Sequence, residues 1–242
     1  SDGHALYISQ LFTWWEETEI IKQEKNIWVV KNDVDLFIPL SVSEVLEERI
    51  QIMEKSLREA LLIASVQGDD FTAQIISSLN NTIDDYETYN LLDRLEKRYK
   101  LVKEDHKEEL GTTTLDFYRF LHRFFREHVY KNLNSGQRRL LHKKVGEYLE
   151  TLYKGNLLQV SGQLARHFYE AKDHQKAVAF SIMASAHEGT RFSWNECQEW
   201  CNFGLHIIEL DPKLKKGKKH YQLLRQIGIA NCRLGKWDTA HK

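Results

Sequence analysis

Few residues in this chain have types and spacings that could do chemistry. Cys197 and Cys201 lie one helical turn apart, beside Trp194 and Trp200. Two thiolates at that spacing could ligate a metal ion, but no second ligand pair follows at a suitable distance, and cysteines on such an apolar helix read as core side chains. His187–Glu188 begins like a zinc-peptidase helix but continues Gly189–Thr190–Arg191, without the second histidine of H-E-x-x-H. Gly217–Lys218–Lys219 and Gly235–Lys236–Trp237 come nearest to a phosphate-cradling loop. Both lack the upstream glycine and the hydroxyl residue of G-x-x-x-x-G-K-S/T. Glu16–Glu17 and Glu47–Glu48 are adjacent on helical patterns, so their carboxylates do not face each other. The 11 histidines are scattered, with no nucleophile set beside any of them by motif. These patterns predict a chain with no catalytic and no metal-binding residues of its own.

A basic stretch does stand out: Arg119, Arg123, Arg126, Lys131, Arg138, Arg139, Lys143 and Lys144, with Glu127 as the main offset. It could face phosphates or an acidic partner domain, or it could be a solvated face whose long stems cover apolar surface.

Composition bounds what must position these residues. The 242 residues leave ample length for a buried core. Only Pro39 and Pro212 interrupt the chain, so long helices are possible. A charged fraction of 29% with net charge −1 describes a mixed surface and not a polybasic nucleic-acid binder. Three cysteines cannot build a disulfide framework and fit a reducing, cytoplasmic setting. No apolar run approaches the ~20 residues of a membrane helix, and the start lacks a signal-peptide pattern. The chain opens directly into a helical pattern and ends as another helix would begin, so both ends read as cuts in a longer protein.

Apolar residues at helical spacing (Leu6, Ile8, Leu11, Phe12, Trp15) predict a helix over residues 5 to about 22. Residues 26–37 are β-branched and aromatic and could form a short hairpin or an extended crossing, with Pro39 pushing Ile38 out of helix geometry. Ser41 and Glu44 form a capping box for a helix carrying Val45, Leu46 and Ile50. A second helix with Leu57, Leu61 and Ala64 stops at Gly68, a left-handed cap. Phe71, Ile75, Ile76 and Leu79 predict a third helix, and Tyr86, Leu92, Leu95 and Tyr99 a fourth. The period then changes, and residues 101–120 predict a β-hairpin around a charged, glycine-containing loop. Three helices closed by a hairpin make a winged helix. Everything from His122 onward reads as helical. Ala171–Lys172–Asp173 aligns with Leu234–Gly235–Lys236, 63 positions on, and the alignment continues to Ala177 and Ala240. That is a weak internal repeat of the kind that stacks helix hairpins into solenoids. The predicted fold is mainly α: a winged-helix domain with a small β-hairpin, followed by a TPR-like helical repeat array.

Several of these segments, in this order, resemble the STAND signalling ATPases of bacteria, most closely the branch of large ATP-dependent transcription activators and multidomain cyclases and kinases. The resemblance rests on Phe117–Tyr118–Arg119–Phe120–Leu121–His122–Arg123–Phe124–Phe125–Arg126–Glu127–His128, on Gln137–Arg138–Arg139–Leu140–Leu141–His142, and on Leu164–Ala165–Arg166–His167–Phe168. Gly3–His4–Ala5–Leu6–Tyr7 is similar to the last motif of the family's ATPase core. Leu40–Ser41–Val42 and Ala64–Ser65–Val66–Gln67–Gly68 resemble its link into the winged helix.

The resemblance implies a division into the tail of an ATPase core with its linker (1–40), a winged helix (41–132) and helical repeats (133–242). It implies a switch that holds ADP when closed and self-assembles when a protein or small-molecule trigger acts on the repeats. The cofactor, ATP or ADP with Mg, belongs to the parent protein, and this chain's partners are its own upstream ATPase domain and the downstream repeats. His122 matches a histidine that faces the β-phosphate of bound ADP in related immune receptors. Arg123 stands where an aspartate follows that histidine in those receptors, and Ala5, in the motif opened by Gly3, stands where the family usually has an adenine-packing proline. Two other classes stay open: a repeat-type adaptor with no nucleotide link, and a DNA-binding regulator. Acid at both duplex-contact points of a winged helix argues against the latter: Asp84, Asp85 and Glu87 on the recognition-helix equivalent, and Glu104, Asp105, Glu108 and Glu109 on the wing.

Overall fold

The computed structural model describes residues 2–24, 27–30, 39, 41–80, 83–111, 113–215 and 217–236. The chain is mainly helical with small antiparallel sheets, and it divides into two compact units, Ser1–Leu133 and Asn134–Lys242.

The first unit opens with α1 (Asp2–Glu17), which ends well short of Lys22. Glu19 adopts a left-handed conformation (φ 57°), and the Ile20 N–H donates back to the Trp15 carbonyl at 2.9 Å, which is a helix stop. Lys22 therefore lies in β1 (Ile21–Glu24), which pairs antiparallel with β2 (Ile27–Val30). A hairpin is formed, but Ile27–Val30 pairs with residues before the 26–37 stretch and not within it; Leu36, Phe37 and Ile38 lie outside the described residues. Tyr7 Oη donates to the Pro39 carbonyl and ties α1 to the chain entering α2 (Val42–Ile52). The Ser41 hydroxyl caps α2 as expected, accepting from the Glu44 N–H at 3.2 Å.

Next come α3 (Lys55–Gln67), β3 (Asp70–Thr72), α4 (Ala73–Leu79), α5 (Asp85–Lys97), β4 (Val102–Leu110) and β5 (Thr113–Phe120). The hairpin expected over residues 101–120 is present, and β5 is its central strand: the order is β3-β5-β4. The third strand corrects the reading of Phe71 as helical. Gly68 has φ 144° and ψ −163°, a conformation open to glycine alone rather than a left-handed helix cap, and it turns the chain into extended geometry. Phe71 then pairs with Tyr118, stacks on its ring at 6.0 Å and meets Phe120 at 5.2 Å. Cross-strand aromatic packing outweighs a helical period carried by four residues. A register shift between Glu104 and Lys107 marks a bulge in β4. The hairpin is fastened to the helices through Asp116, which accepts from Tyr89 Oη and from Gln74 Nε2 at 3.0 Å and pairs with Lys107 at 3.2 Å. Burial alone would raise the Asp116 carboxyl; these hydrogen bonds outweigh it and hold the group below its ordinary range. The last helix of this unit, α6 (Arg123–Lys131), packs on α3 and α2.

Arg49 on α2 is completely buried. Its guanidinium pairs with Glu17 at 2.6 Å and donates to Gln10 Oε1 and to the Tyr99 carbonyl, joining α1, α2 and the chain after α5. Burial nevertheless pushes the Glu17 carboxyl above its usual value, with Arg49 only partly opposing it.

The second unit stacks α7 (Ser135–Leu152), α8 (Ser161–Glu170), α9 (His174–Thr190), α10 (Trp194–Leu210) and α11 (Lys218–Arg233), each packed on the next. Asn134 and Gln137 form a reciprocal capping box at the start of α7. The turns ending α8, α9 and α11 share one form. Lys172, Phe192 and Gly235 are left-handed, with φ of 62°, 62° and 72°. After each, the next N–H donates to the carbonyl five residues back: Asp173 to Phe168, Ser193 to Glu188 and Lys236 to Asn231. Lys172 and Gly235 are the aligned positions of the internal repeat, so its first half has one backbone geometry; Trp237 to Ala240 lie outside the described residues. Close helix approach requires Gly204, where a Cβ would meet Leu223 Cδ1 at 2.8 Å.

Removing one partner of a buried ion pair costs about 3 kcal/mol, because the other charge stays buried, whereas replacing both by apolar groups is nearly neutral. Arg49→Met should therefore destabilise the chain by about that amount in denaturant melts, and Arg49→Met with Glu17→Leu should recover most of it.

Candidate functional site

In the first unit a cleft of about 410 Å³ opens between α1 and the chain ends beyond α5 and β5. Ser9, Gln10, Thr13 and Glu16 of α1 line one side; Lys100, Leu121 and His122 line the other. Local chain geometry brings the latter three together. Lys100 takes the left-handed position after α5 (φ 52°), and the Leu101 N–H donates to the Leu95 carbonyl at 3.1 Å. The Leu121 N–H donates to the Leu101 carbonyl at 3.0 Å, so the end of β5 is tied to the end of α5. Beneath the cleft, Arg49 holds Gln10 of one wall and the carbonyl of Tyr99, next to Lys100 of the other.

His122 is the N-cap residue of α6 in extended geometry (φ −139°, ψ 133°), and its side chain makes no capping hydrogen bond. The imidazole is exposed, and it meets Phe125 edge-on at 5.0 Å. The side chains of Lys100 and His122 make no hydrogen bond or ion pair within the described residues. On the α1 wall, Ser9 donates to the Leu6 carbonyl and Thr13 to the Ser9 carbonyl, which turns both hydroxyl protons back onto the helix. On the facing wall the open donors belong to Lys100 and His122, and Glu16 is the acid of the lining. No base stands beside Ser9 or Thr13 to activate it in the contacts described. The arrangement can hold an anionic or hydrogen-bond-accepting group at its Lys100–His122 edge.

The other sequence-predicted residues lie apart from this edge. Arg123 turns outward to Glu127 at 2.8 Å and does not line the cleft. Gly3 and Ala5 lie in the first turns of α1, and Ala5 is exposed one turn before Ser9. The basic stretch is more fully paired than the sequence indicates: Arg119 meets Asp70 and Asp105, and Arg126 meets Asp69 at 2.7 Å. Those acids belong to β3, the chain before it and β4, so the pairing needs the sheet. Cys197 and Cys201 are buried, and burial raises both thiols, Cys201 to about 12. Lys100 carries no sequence motif; only the tied chain ends show that it shares a cleft with His122.

The second unit holds a buried pair that scattered histidines did not reveal. His142 of α7 and His167 of α8 face each other with Nδ1 atoms 2.9 Å apart. One ring donates and the other accepts, so the accepting ring is neutral, and burial disfavours a charge on the donating ring as well. Burial lowers His142 to about 4, with Arg138 adding to the effect, and lowers His167 to about 3, with His142 adding.

No protein-family model, curated protein or solved structure matches this chain.

Because both folded values lie below that of an unfolded histidine, the pair's contribution to stability is full above about pH 6.5. It is lost as pH falls from there toward the folded values. Between pH 7 and pH 5 the chain should lose roughly 2–4 kcal/mol from this source, and a His142→Phe, His167→Phe double variant should lose much less over the same interval, as read by thermal melts at each pH.

Proposed function

We propose that this chain is the non-catalytic regulatory segment of a STAND-type ATP-dependent switch, with the first unit acting as a winged-helix clamp and the second as the root of a TPR-like sensing array. The observation that carries the proposal is the cleft: His122, the residue the family resemblance singles out, faces α1, the helix that begins with the Gly3–His4–Ala5 motif, and among the described residues its imidazole has no hydrogen-bond partner. The element order α3, β3, α4, α5, β4, β5 is that of a winged helix and supports the clamp. The succession of paired helices with matching turns supports the array. Asp85, Glu87 and the acidic β4 leave duplex DNA a poor fit.

Lys100 and His122 fit the edge of a phosphate group. A nucleotide bound by the parent protein would supply that negative charge, and this chain's part is to present the two donors. An imidazole N–H held toward a phosphate favours the closed arrangement, and loss of the phosphate removes that preference. The trigger acts through a difference in its affinity for the two arrangements, with self-assembly following in the open one.

A charge-assisted hydrogen bond contributes about 1.5–3 kcal/mol, or about tenfold or more in retention. His122→Ala in the parent protein should therefore release ADP at least about tenfold faster and raise output without trigger. Unchanged nucleotide occupancy together with unchanged output would retire the proposal. The proposal also requires a phosphate-binding loop upstream of Ser1 in the parent, which sequencing of its gene reads directly.

A further inference from the structure

A second, smaller cleft lies wholly within the helical unit, at the start of α8. Its floor is the Trp200 ring, which lies so close to α8 that a Cβ on Gly162 would meet ring atom Cζ2 at 2.5 Å. One turn along α8, the Arg166 guanidinium sits over the same ring, 5.3 Å from its centroid. Arg166 is exposed and makes no ion pair among the described residues. His187 of α9 lines the cleft beside it, as does Glu188, which is engaged with Arg191 at 3.9 Å. Leu158 and Ala184 supply an apolar edge.

We infer that this cleft binds an acidic residue of an extended peptide from a protein partner, with Arg166 taking the carboxylate and Trp200 the aliphatic stem. Size decides against a whole small molecule. The cleft holds about 220 Å³, below the ~300–1,000 Å³ of ordinary ligand pockets. It suits one side chain with its adjoining backbone. Charge decides the sign. The cleft offers an unpaired guanidinium and an imidazole against one carboxylate that already has a cation. Arginine presents two parallel donors to a carboxylate. Stacking on Trp200 holds those donors in place beforehand, which lowers the ordering cost of binding. Tryptophan and arginine in a pre-shaped pocket are also the pairing that dominates protein interfaces energetically. The absence of a side chain at Gly162 is what lets the ring lie there.

The inference does not depend on the nucleotide link, and its test uses this 242-residue chain alone. Displayed seven-residue peptides with a fixed central Glu and random flanks are selected in parallel with the same library carrying Gln. The Glu library should enrich at least about tenfold over the Gln library, with an apolar residue beside the Glu. A synthetic peptide of the winning sequence should bind Arg166→Gln about tenfold more weakly. It should also lose affinity for Gly162→Ala, which displaces Trp200, and bind Arg139→Gln unchanged. Circular dichroism and melting of each variant separate lost binding from lost fold; the exposed Arg166 keeps the test open even where Gly162→Ala unfolds. Equal recovery from both libraries, no enrichment from either, or a winning peptide indifferent to Arg166→Gln would overturn the inference. A normal nucleotide response to His122→Ala in the parent would leave it untouched.

Discussion

The first unit depends on one buried guanidinium. Arg49 reaches from α2 to the carboxylate of Glu17, the amide oxygen of Gln10 and the carbonyl of Tyr99, and none of these contacts is open to water. A charge in that position must be paired and its donors filled, or the fold pays a desolvation cost of several kcal/mol. The requirement fixes α1 against α2 and against the end of α5 together. Apolar packing of Leu11, Trp14 and Val45 presses the same helices together but is not directional. The hydrogen-bonded guanidinium sets the register in which they meet.

The cleft at His122 follows from that register. Its two walls belong to elements far apart in sequence, and Arg49 spans them from below. Any force that shifts α1 relative to α5 must also disturb a filled set of buried hydrogen bonds, so the base of the cleft resists gradual deformation. The proposed nucleotide link uses this property: a phosphate edge engages the two open donors on one wall, and the rigid base transmits the difference. Asp116 plays the matching part for the hairpin, which it fastens to Gln74 and Tyr89 at the opposite end of the sheet.

The helical unit is organised by different means. Its turns repeat one hydrogen-bond pattern whether the left-handed residue is Lys172, Phe192 or Gly235. A bulky Phe192 bears a conformation that glycine adopts without strain. Two other glycines stand where helices or rings approach closely, Gly204 against Leu223 and Gly162 against Trp200. The second contact shapes the acidic-peptide cleft. The same economy of space brings His142 and His167 together as a neutral pair in the interior.

Much of the local structure was legible from residue types. Ser41 at a cap, Leu57 and Leu61 on one helix face, the change of period at residues 101–120 and the helical run after His122 all follow from hydrogen-bond chemistry and periodicity within a few residues, which the sequence carries directly. What it could not carry was anything set by partners distant along the chain. Phe71 belongs to a strand because Tyr118 and Phe120 lie beside it, and α1 stops at Glu17 to leave room for the ribbon of β1 and β2. Arg49 is a buried charge only because Gln10, Glu17 and Tyr99, all distant along the chain, surround its guanidinium. The sequence by itself determined a mainly helical chain and the residue types at its turns, because those depend on neighbours in order. Only the tertiary structure decided that Lys100 meets His122, that Arg166 lies on Trp200 and that two histidines share one hydrogen bond, because each depends on which side chains the packing removes from water.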